Sequence, residues 1–196
     1  SASAVTYYLG DGSVTVDKDD TRGAYSYQGE DGSEEHRTYV NEDEADHGTI
    51  YVKGGNAPTG DVTSPTDNSG NGTEETTTGN TITVKEDVKD ATIVVDGVNV
   101  DTSTSSDTQT EAAPDTGNTG DKTIIKVGEG ANVDLTVKDS NLTTGGNGID
   151  IGVNLKDDDD NKETNVDLTL DNTKINLTEN ATAGINARDN SLSLIH

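Results

Sequence analysis

The chain has 196 residues, 38 acidic against 13 basic, giving a formal charge of −25, and only 28% of residues are hydrophobic. Charge of that sign repels phosphate backbones, anionic lipid and acidic glycan unless a divalent cation bridges them, so nucleic acid is not an expected partner. With no cysteine there is no disulfide, thiolate zinc site or thiol nucleophile, and no apolar run is long enough for a membrane span or signal sequence, so a soluble chain is expected.

In chain order, residues 1–55 hold short alternating segments such as Asp11-Gly-Ser-Val-Thr-Val-Asp17, together with all six aromatic residues. These are Tyr7, Tyr8, Tyr25, Tyr27, Tyr39 and Tyr51. Period-2 alternation puts Tyr25 and Tyr27 on one face of a strand, with Tyr39 on a neighbouring one. The three form a candidate ligand-binding platform, since aromatic faces suit sugar rings. They equally suit a cap that shields an apolar column at the end of a repeat array. Residues 56–79, rich in Thr, Ser, Gly, Asn and Asp, read as a flexible loop.

From residue 80 onward the chain repeats. Val133-Asp-Leu-Thr-Val137 returns as Val166-Asp-Leu-Thr-Leu170, with weaker copies at Ala91-Thr-Ile-Val-Val95 and Asn190-Ser-Leu-Ser-Leu194. Residues 81–102 align on 123–144 without a gap, which predicts three strands per unit. The first set is Thr81 to Lys85, Thr123 to Val127, Gly148 to Val153 and Ala183 to Ala187. The repeated phrase is the second set, and Val98 to Thr102, Ser140 to Thr144 and Lys174 to Thr178 form the third. Successive phrases advance by 42, 33 and 24 residues, so the shortest unit is about 24 residues and polar inserts fall at 103–121 and 155–165.

Three short strands per unit, turned by Asp-Gly, Gly-Gly and Asn-rich corners, predict one all-β domain over residues 1–196. The expected architecture is a parallel β-helix solenoid. Alternation sends Val133, Leu135 and Val137 inward and stacks Val133 on Val166, Leu135 on Leu168 and Ile149 near Ile185. Outside, Asp134 stacks on Asp167, and Thr136 on Thr169 and Ser193, at a spacing of about 4.8 Å. Such patterning argues against the disorder that composition alone would suggest. A chain with no methionine that stops inside a repeat is expected to be a piece of a larger protein. The unpaired backbone of an open end makes end-to-end self-association an expected hazard.

Carboxylates concentrate at Asp17 to Asp20, Glu30 to Glu35, Glu42 to Asp46 and Asp157 to Asp160. Calcium takes six to eight oxygen ligands, which acidic turns can supply. The candidate metal ligands are therefore Asp17, Asp19 and Asp20, and Asp157, Asp158, Asp159 and Asp160 in the second insert. The alternative is a solvated, self-repelling acidic loop. Asp67-Asn-Ser-Gly-Asn-Gly72 has the opening spacing of a calcium loop, but Thr78 stands where the last acidic ligand belongs. His36, His47 and His196 lack zinc-ligand spacing.

No catalytic constellation is expected. Arg22, Arg37 and Arg188 are the only arginines, and Arg188 beside Asp189 reads as a surface ion pair. Solvent-facing carboxylates such as Asp134 and Asp167 lack the burial that tunes a general acid. A Thr column could order water as ice-binding surfaces do, but here aspartates and inserts interrupt it.

The string Asp11 to Asp17, followed by Tyr25-Ser-Tyr27, His36-Arg-Thr-Tyr39, Thr81-Ile-Thr-Val84 and Ala91-Thr-Ile-Val-Val-Asp-Gly97, resembles surface proteins of Gram-positive, clostridia-like bacteria. The resemblance implies a right-handed β-helix of the kind found in adhesin modules and calcium-dependent carbohydrate-binding domains. It implies an extracellular, cell-surface setting, with calcium as a structural ion and a glycan or host surface protein as partner. The expectation is a non-enzymatic, calcium-stabilised binding module. The alternatives are a polysaccharide-active enzyme of lyase type and a purely structural stalk.

Overall fold

The computed structural model describes residues 5–18, 25–28, 34–40, 49–58, 72–73, 77–104, 122–155, 162–188 and 191–195. It is all-β, with a single 3-10 turn, Leu9–Asp11, among the described residues. The first strands are β1 (Val5–Tyr8), β2 (Ser13–Lys18), β3 (Tyr25–Gln28), β4 (Glu34–Val40) and β5 (Thr49–Lys53). Next come β6 (Ile82–Val84), β7 (Ala91–Asp96), β8 (Asn99–Asp101), β9 (Ile125–Gly128), β10 (Asn132–Lys138), β11 (Asn141–Thr144) and β12 (Asn147–Val153). The last are β13 (Thr164–Asp171), β14 (Lys174–Leu177), β15 (Ala183–Ala187) and β16 (Ser191–Ile195).

They form three sheets. The six-stranded sheet runs β1-β5-β7-β10-β13-β16, the three-stranded sheet β14-β11-β8, and the seven-stranded sheet β15-β12-β9-β6-β2-β4-β3. Every pairing is parallel except β3 with β4. From β6 onward the chain visits the seven-, six- and three-stranded sheets in turn, so strands 24 to 43 residues apart become neighbours. Near the N-terminus that order is broken. β4 follows β2 in sequence but pairs on the side of β2 away from β6, and antiparallel β3 lies outermost.

The buried side of each sheet is aliphatic. Ile93, Leu135 and Leu168 are register neighbours in the six-stranded sheet, and Ile125, Ile149, Ile82 and Val127 fill the seven-stranded one, each 1% exposed or less. Val100 and Leu142 complete the core from the three-stranded sheet. Burying such a side chain contributes about 1.5–3 kcal/mol. The expected pairs Val133 with Val166, Leu135 with Leu168, Asp134 with Asp167 and Ile149 with Ile185 are all present.

Corners are built from residues that tolerate positive φ. Gly97 (72°), Asp139 (50°) and Asn172 (47°) each follow a register-matched strand end, Asp96, Lys138 or Asp171. Their left-handed backbone suits Gly, Asp and Asn. Asn172 Nδ2 donates to Asp139 Oδ1 at 2.8 Å, tying one corner to the next. Buried hydroxyls do similar work: Ser140 Oγ accepts from Val98 N–H at 3.1 Å, and Thr144 Oγ1 lies 2.9 Å from the Lys122 carbonyl. Each such bond contributes about 1 kcal/mol net.

Three expectations require correction. Ile82 pairs with Ile125, not Ile124, so the first strands are offset by 43 residues while the second strands keep 42. An ungapped alignment would put Lys126 on Val84, and a one-residue slip moves every side chain to the other face. The observed register puts Val127 there and leaves Lys126 half-buried beside Thr83. Secondly, β16 is displaced by three residues: Ser193 lies opposite Val166 and Leu194 opposite Asp167, so Ser193 does not extend the Thr136–Thr169 column. The spacing of that step is 27 residues, not 24. Thirdly, Thr164 and Asn165 belong to β13, not to the insert, and Thr78, within the stretch read as loop, bridges to Val100. Residues 59–71, 74–76, 105–121 and 156–161, which hold most of the expected loops, lie outside the described residues.

Candidate functional site

The exposed side of the six-stranded sheet carries columns of like side chains. Thr49, Thr92, Asp134 and Asp167 are consecutive register neighbours, and both aspartates are exposed. Carboxylates one strand apart, about 4.8 Å, repel in an antiparallel or parallel ladder alike. Along the same edge the sequence compensates with alternating charge. Lys53, Asp96, Lys138 and Asp171 are register neighbours, and Asp96 Oδ2 lies 3.9 Å from both lysine Nζ atoms. Lys53 is the most shielded of these cations, its side chain 9% exposed, and its Nζ also lies 6.0 Å from the Tyr51 ring centroid.

A second polar centre lies on β12. Asp150 is 4% exposed and its carboxylate accepts from Asn186 Nδ2 at 3.0 Å and from Arg188 Nη2 at 2.9 Å. Lys126 is its register neighbour on the other side. Arg188 is therefore in an ion pair, as expected, but the partner is the buried Asp150 of the preceding strand; Asp189 lies outside the described residues. A guanidinium held this way is not free to abstract a proton.

The third centre is a corner that sequence reading missed. Carrying the Val84–Val127 register on by two residues sets Glu86 beside Glu129, and they are 2% and 4% exposed. Gly128 makes room: a Cβ there would come within 3.0 Å of Glu86 Cγ. Beside them Lys162 Nζ binds Asp87 Oδ2 at 2.9 Å, Thr164 Oγ1 accepts from Gly130 N–H at 3.0 Å, and Lys89 Nζ donates to the Gly130 carbonyl. Lys162 follows the acidic insert directly, so an ion pair and a hydroxyl anchor the end at which the chain leaves it. Glu129, the lone charge between Val127 and Ala131, 43 residues after Glu86, is the signal that could have revealed this corner.

Of the predicted metal ligands, Asp17 is half-buried on β2, opposite Tyr39 of β4. Asp19, Asp20 and Asp157 to Asp160 lie outside the described residues. Among the described residues no group of three or more His, Asp or Glu is placed to hold a metal ion. The platform tyrosines sit on adjacent strands. Tyr25 pairs with Arg37 and Tyr27 with Glu35, and β3 and β4 are the outermost strands of their sheet. Register puts Tyr25 level with Thr15, Tyr27 with Ser13 and Tyr39 with Asp17, positions opposite in phase to core residues Val14 and Val16.

Of the remaining tyrosines, Tyr7 and Tyr8 are buried. Burial raises the Tyr8 phenol above 10.0, helped by the negative charge of Asp11. Asp11 Oδ2 in turn accepts the Ala57 N–H at 2.9 Å, joining the turn after β1 to the turn after β5. No protein-family model, curated protein or solved structure matches the chain.

Proposed function

We propose that the chain is a parallel β-helix with three strands per rung, and that it acts as a non-enzymatic binding and spacer module of a bacterial surface adhesin, stabilised by calcium. The observation that carries this reading is the separation of the two sides of each strand. Aliphatic residues run through the consecutive strands β5, β7, β10 and β13 on one side, while the other presents mainly Thr, Asp, Asn and Lys, with Tyr51 and Val94 the apolar exceptions. A stack of that kind sets a rigid length and offers a regular polar surface, which suits presentation of loops to a glycan or host surface protein. The resemblance to Gram-positive surface proteins supports the extracellular setting. Calcium is the bridging cation for a chain of charge −25, with Asp17, Asp19, Asp20 and Asp157 to Asp160 as its proposed ligands.

Non-enzymatic action is supported by the exposure of Asp134 and Asp167 and by the engagement of Arg188 with Asp150. The test is thermal unfolding followed by far-ultraviolet circular dichroism in EDTA, in millimolar calcium and in millimolar magnesium. A native state that binds calcium more tightly than the unfolded chain must melt higher as calcium rises. A calcium-specific rise is expected; identical melts in all three buffers overturn the calcium assignment. Release of reducing or unsaturated ends from polygalacturonate would overturn the non-enzymatic reading in favour of a lyase.

A further inference from the structure

We infer that the outward face of the six-stranded sheet is a self-pairing surface, on which a second copy of the chain docks face to face about a two-fold axis parallel to the strands. The face is formed by the residues of β5, β7, β10 and β13 that alternate with core residues such as Ile93 and Leu135. Register sets them in three columns that cross the strands. The first is Thr49, Thr92, Asp134 and Asp167, and the second Tyr51, Val94, Thr136 and Thr169. The third is Lys53, Asp96, Lys138 and Asp171.

Each column is complementary to its own reverse. A copy turned about an axis in the interface, parallel to the strands and midway between β7 and β10, keeps every column opposite itself and reverses the order of the strands. Asp96 then faces Lys138 of the second copy, and Lys53 faces Asp171. In the first column Thr92 faces Asp134 and Thr49 faces Asp167, so each carboxylate meets a hydroxyl that can donate to it. In the second, Val94 faces Thr136 and Tyr51 faces Thr169, which brings apolar groups against threonine methyls. Like charges face each other nowhere. Asp134 and Asp167, exposed and adjacent within one copy, each gain a donor that the single chain does not place opposite them.

The other in-plane axis fails this comparison. Rotation about the stack direction lays the first column on the third and sets Asp167 against Asp171, two carboxylates. The strand-parallel axis is therefore selected by charge. Strands of the two sheets then run in one direction, as in aligned sheet packing, and the interface is isologous and closes as a dimer.

The size of the face sets the affinity. Four strands about 4.8 Å apart and five residues of about 3.3 Å each give a patch roughly 20 Å by 17 Å. That is below the roughly 800 Å² per partner of a standard interface, so the dimer is weak and forms where copies are concentrated. Lys53, with a side chain only 9% exposed, reaches the second copy least, so the two central Asp96–Lys138 contacts carry most of the charge pairing.

The test is sedimentation equilibrium of the 196-residue chain from micromolar to near-millimolar concentration, with circular dichroism of every sample. Salt is held at about 0.15 M, where the Debye length of about 8 Å screens repulsion between distant acidic residues. The expected result is a monomer–dimer equilibrium that stops at twice the chain mass. Asp96→Lys opposes lysines across the axis and Lys138→Asp opposes aspartates, so each substitution alone should weaken self-pairing at least about tenfold. Mixing the two variant chains should restore dimers, because the new lysine of one then faces the new aspartate of the other. A second measurement holds even if those variants fold poorly. The chain has no cysteine, so Thr49→Cys and Asp167→Cys each supply a unique thiol. Like positions of two copies are three strand spacings apart along the stack, about 14 Å, whereas position 49 of one copy lies opposite 167 of the other. A short bis-maleimide should therefore join chains in a mixture of the two variants and not in either alone. A monomer at every concentration, dimers indifferent to Asp96→Lys and Lys138→Asp, folded variants that do not recover on mixing, or cross-linking as strong in one variant as in the mixture would each overturn the inference.

Discussion

Leu135 and Thr136 are adjacent on β10, yet the structure gives them opposite fates, and truncating each in turn tests the assignment of faces. Leu135 is 0% exposed and lies between Ile93 and Leu168, also 0% exposed. Neighbours hydrogen-bonded to strands on both sides cannot collapse into the space that Leu135→Ala leaves. The cost should fall in the range of about 2–5 kcal/mol measured for buried leucine truncations. For a chain of this size, each kcal/mol lowers the melting temperature by about 2–4 °C, so a drop of roughly 4–20 °C is expected. Thr136 lies between half-buried Val94 and Thr169, and its truncation should cost less than about 0.5 kcal/mol. Leu135→Asp sharpens the contrast, because an unpaired carboxylate there has no donor within the aliphatic column and should unfold the surrounding strands; Thr136→Asp should be tolerated. Urea and thermal melts by circular dichroism are the assay. Equal losses at the two positions, or a larger loss at Thr136, would refute the assignment of faces.

Two further perturbations probe the polar surroundings of the core. Asp96→Ala leaves Lys53 and Lys138 without the carboxylate they share, and with Lys53 largely shielded the expected cost is about 1–3 kcal/mol in a urea melt; an unchanged midpoint would make the Lys-Asp-Lys-Asp column irrelevant to stability. Tyr8→Phe addresses pH. Burial first, and the Asp11 charge second, raise the native phenol above the unfolded value of 10.0, so the native state holds a proton that the unfolded chain has already lost. Stability from this group is complete below pH 10.0 and declines as pH climbs through the higher native value. The difference in melting temperature between the parent and Tyr8→Phe should therefore shift against the parent across that alkaline window, and a pH-independent difference would refute the linkage.

How much of this was legible in the sequence depended on whether a residue's place was set by alternation alone. Val133, Leu135 and Val137 announce a strand with one buried side, and the same phrase at Val166 fixes its neighbour, so the stack of β10 on β13 followed from residues alone. β5 had a weaker signal, Ile50 and Val52 alternating with Tyr51, and was read only as part of the N-terminal segment. The corner of Glu86 and Glu129 was not found, because an acidic residue in a sequence looks solvated until register shows it stacked and buried. The candidate ligands Asp157 to Asp160 were chosen by composition, which carries no information about where a loop's backbone turns.

The two register errors share a cause. The displacements, one residue and three, are odd and so reverse the face that a matched position takes; similarity of phrases selects a register only as well as the connecting turn is known. Between Val84 and Ala91 the chain uses six residues, including positive-φ Asp87 and Asp90, where the next pass from Val127 to Val133 uses five with Gly130 as its left-handed position. That single residue converts an offset of 43 into one of 42, and it is invisible to an ungapped alignment. At β16 the effect is larger. Arg188 N–H binds the Ile151 carbonyl, so only residues 189 and 190 remain before pairing begins at Ser191 opposite Thr164. The resemblance of Asn190-Ser-Leu-Ser-Leu194 to the other phrases is overridden by the length of chain available to turn the corner. In a repeat chain of this kind, strands are written in the hydrophobic pattern and their stacking in the turns, so the corner residues Asp87, Gly97, Gly130, Asp139 and Asn172 carry as much of the fold as the core does.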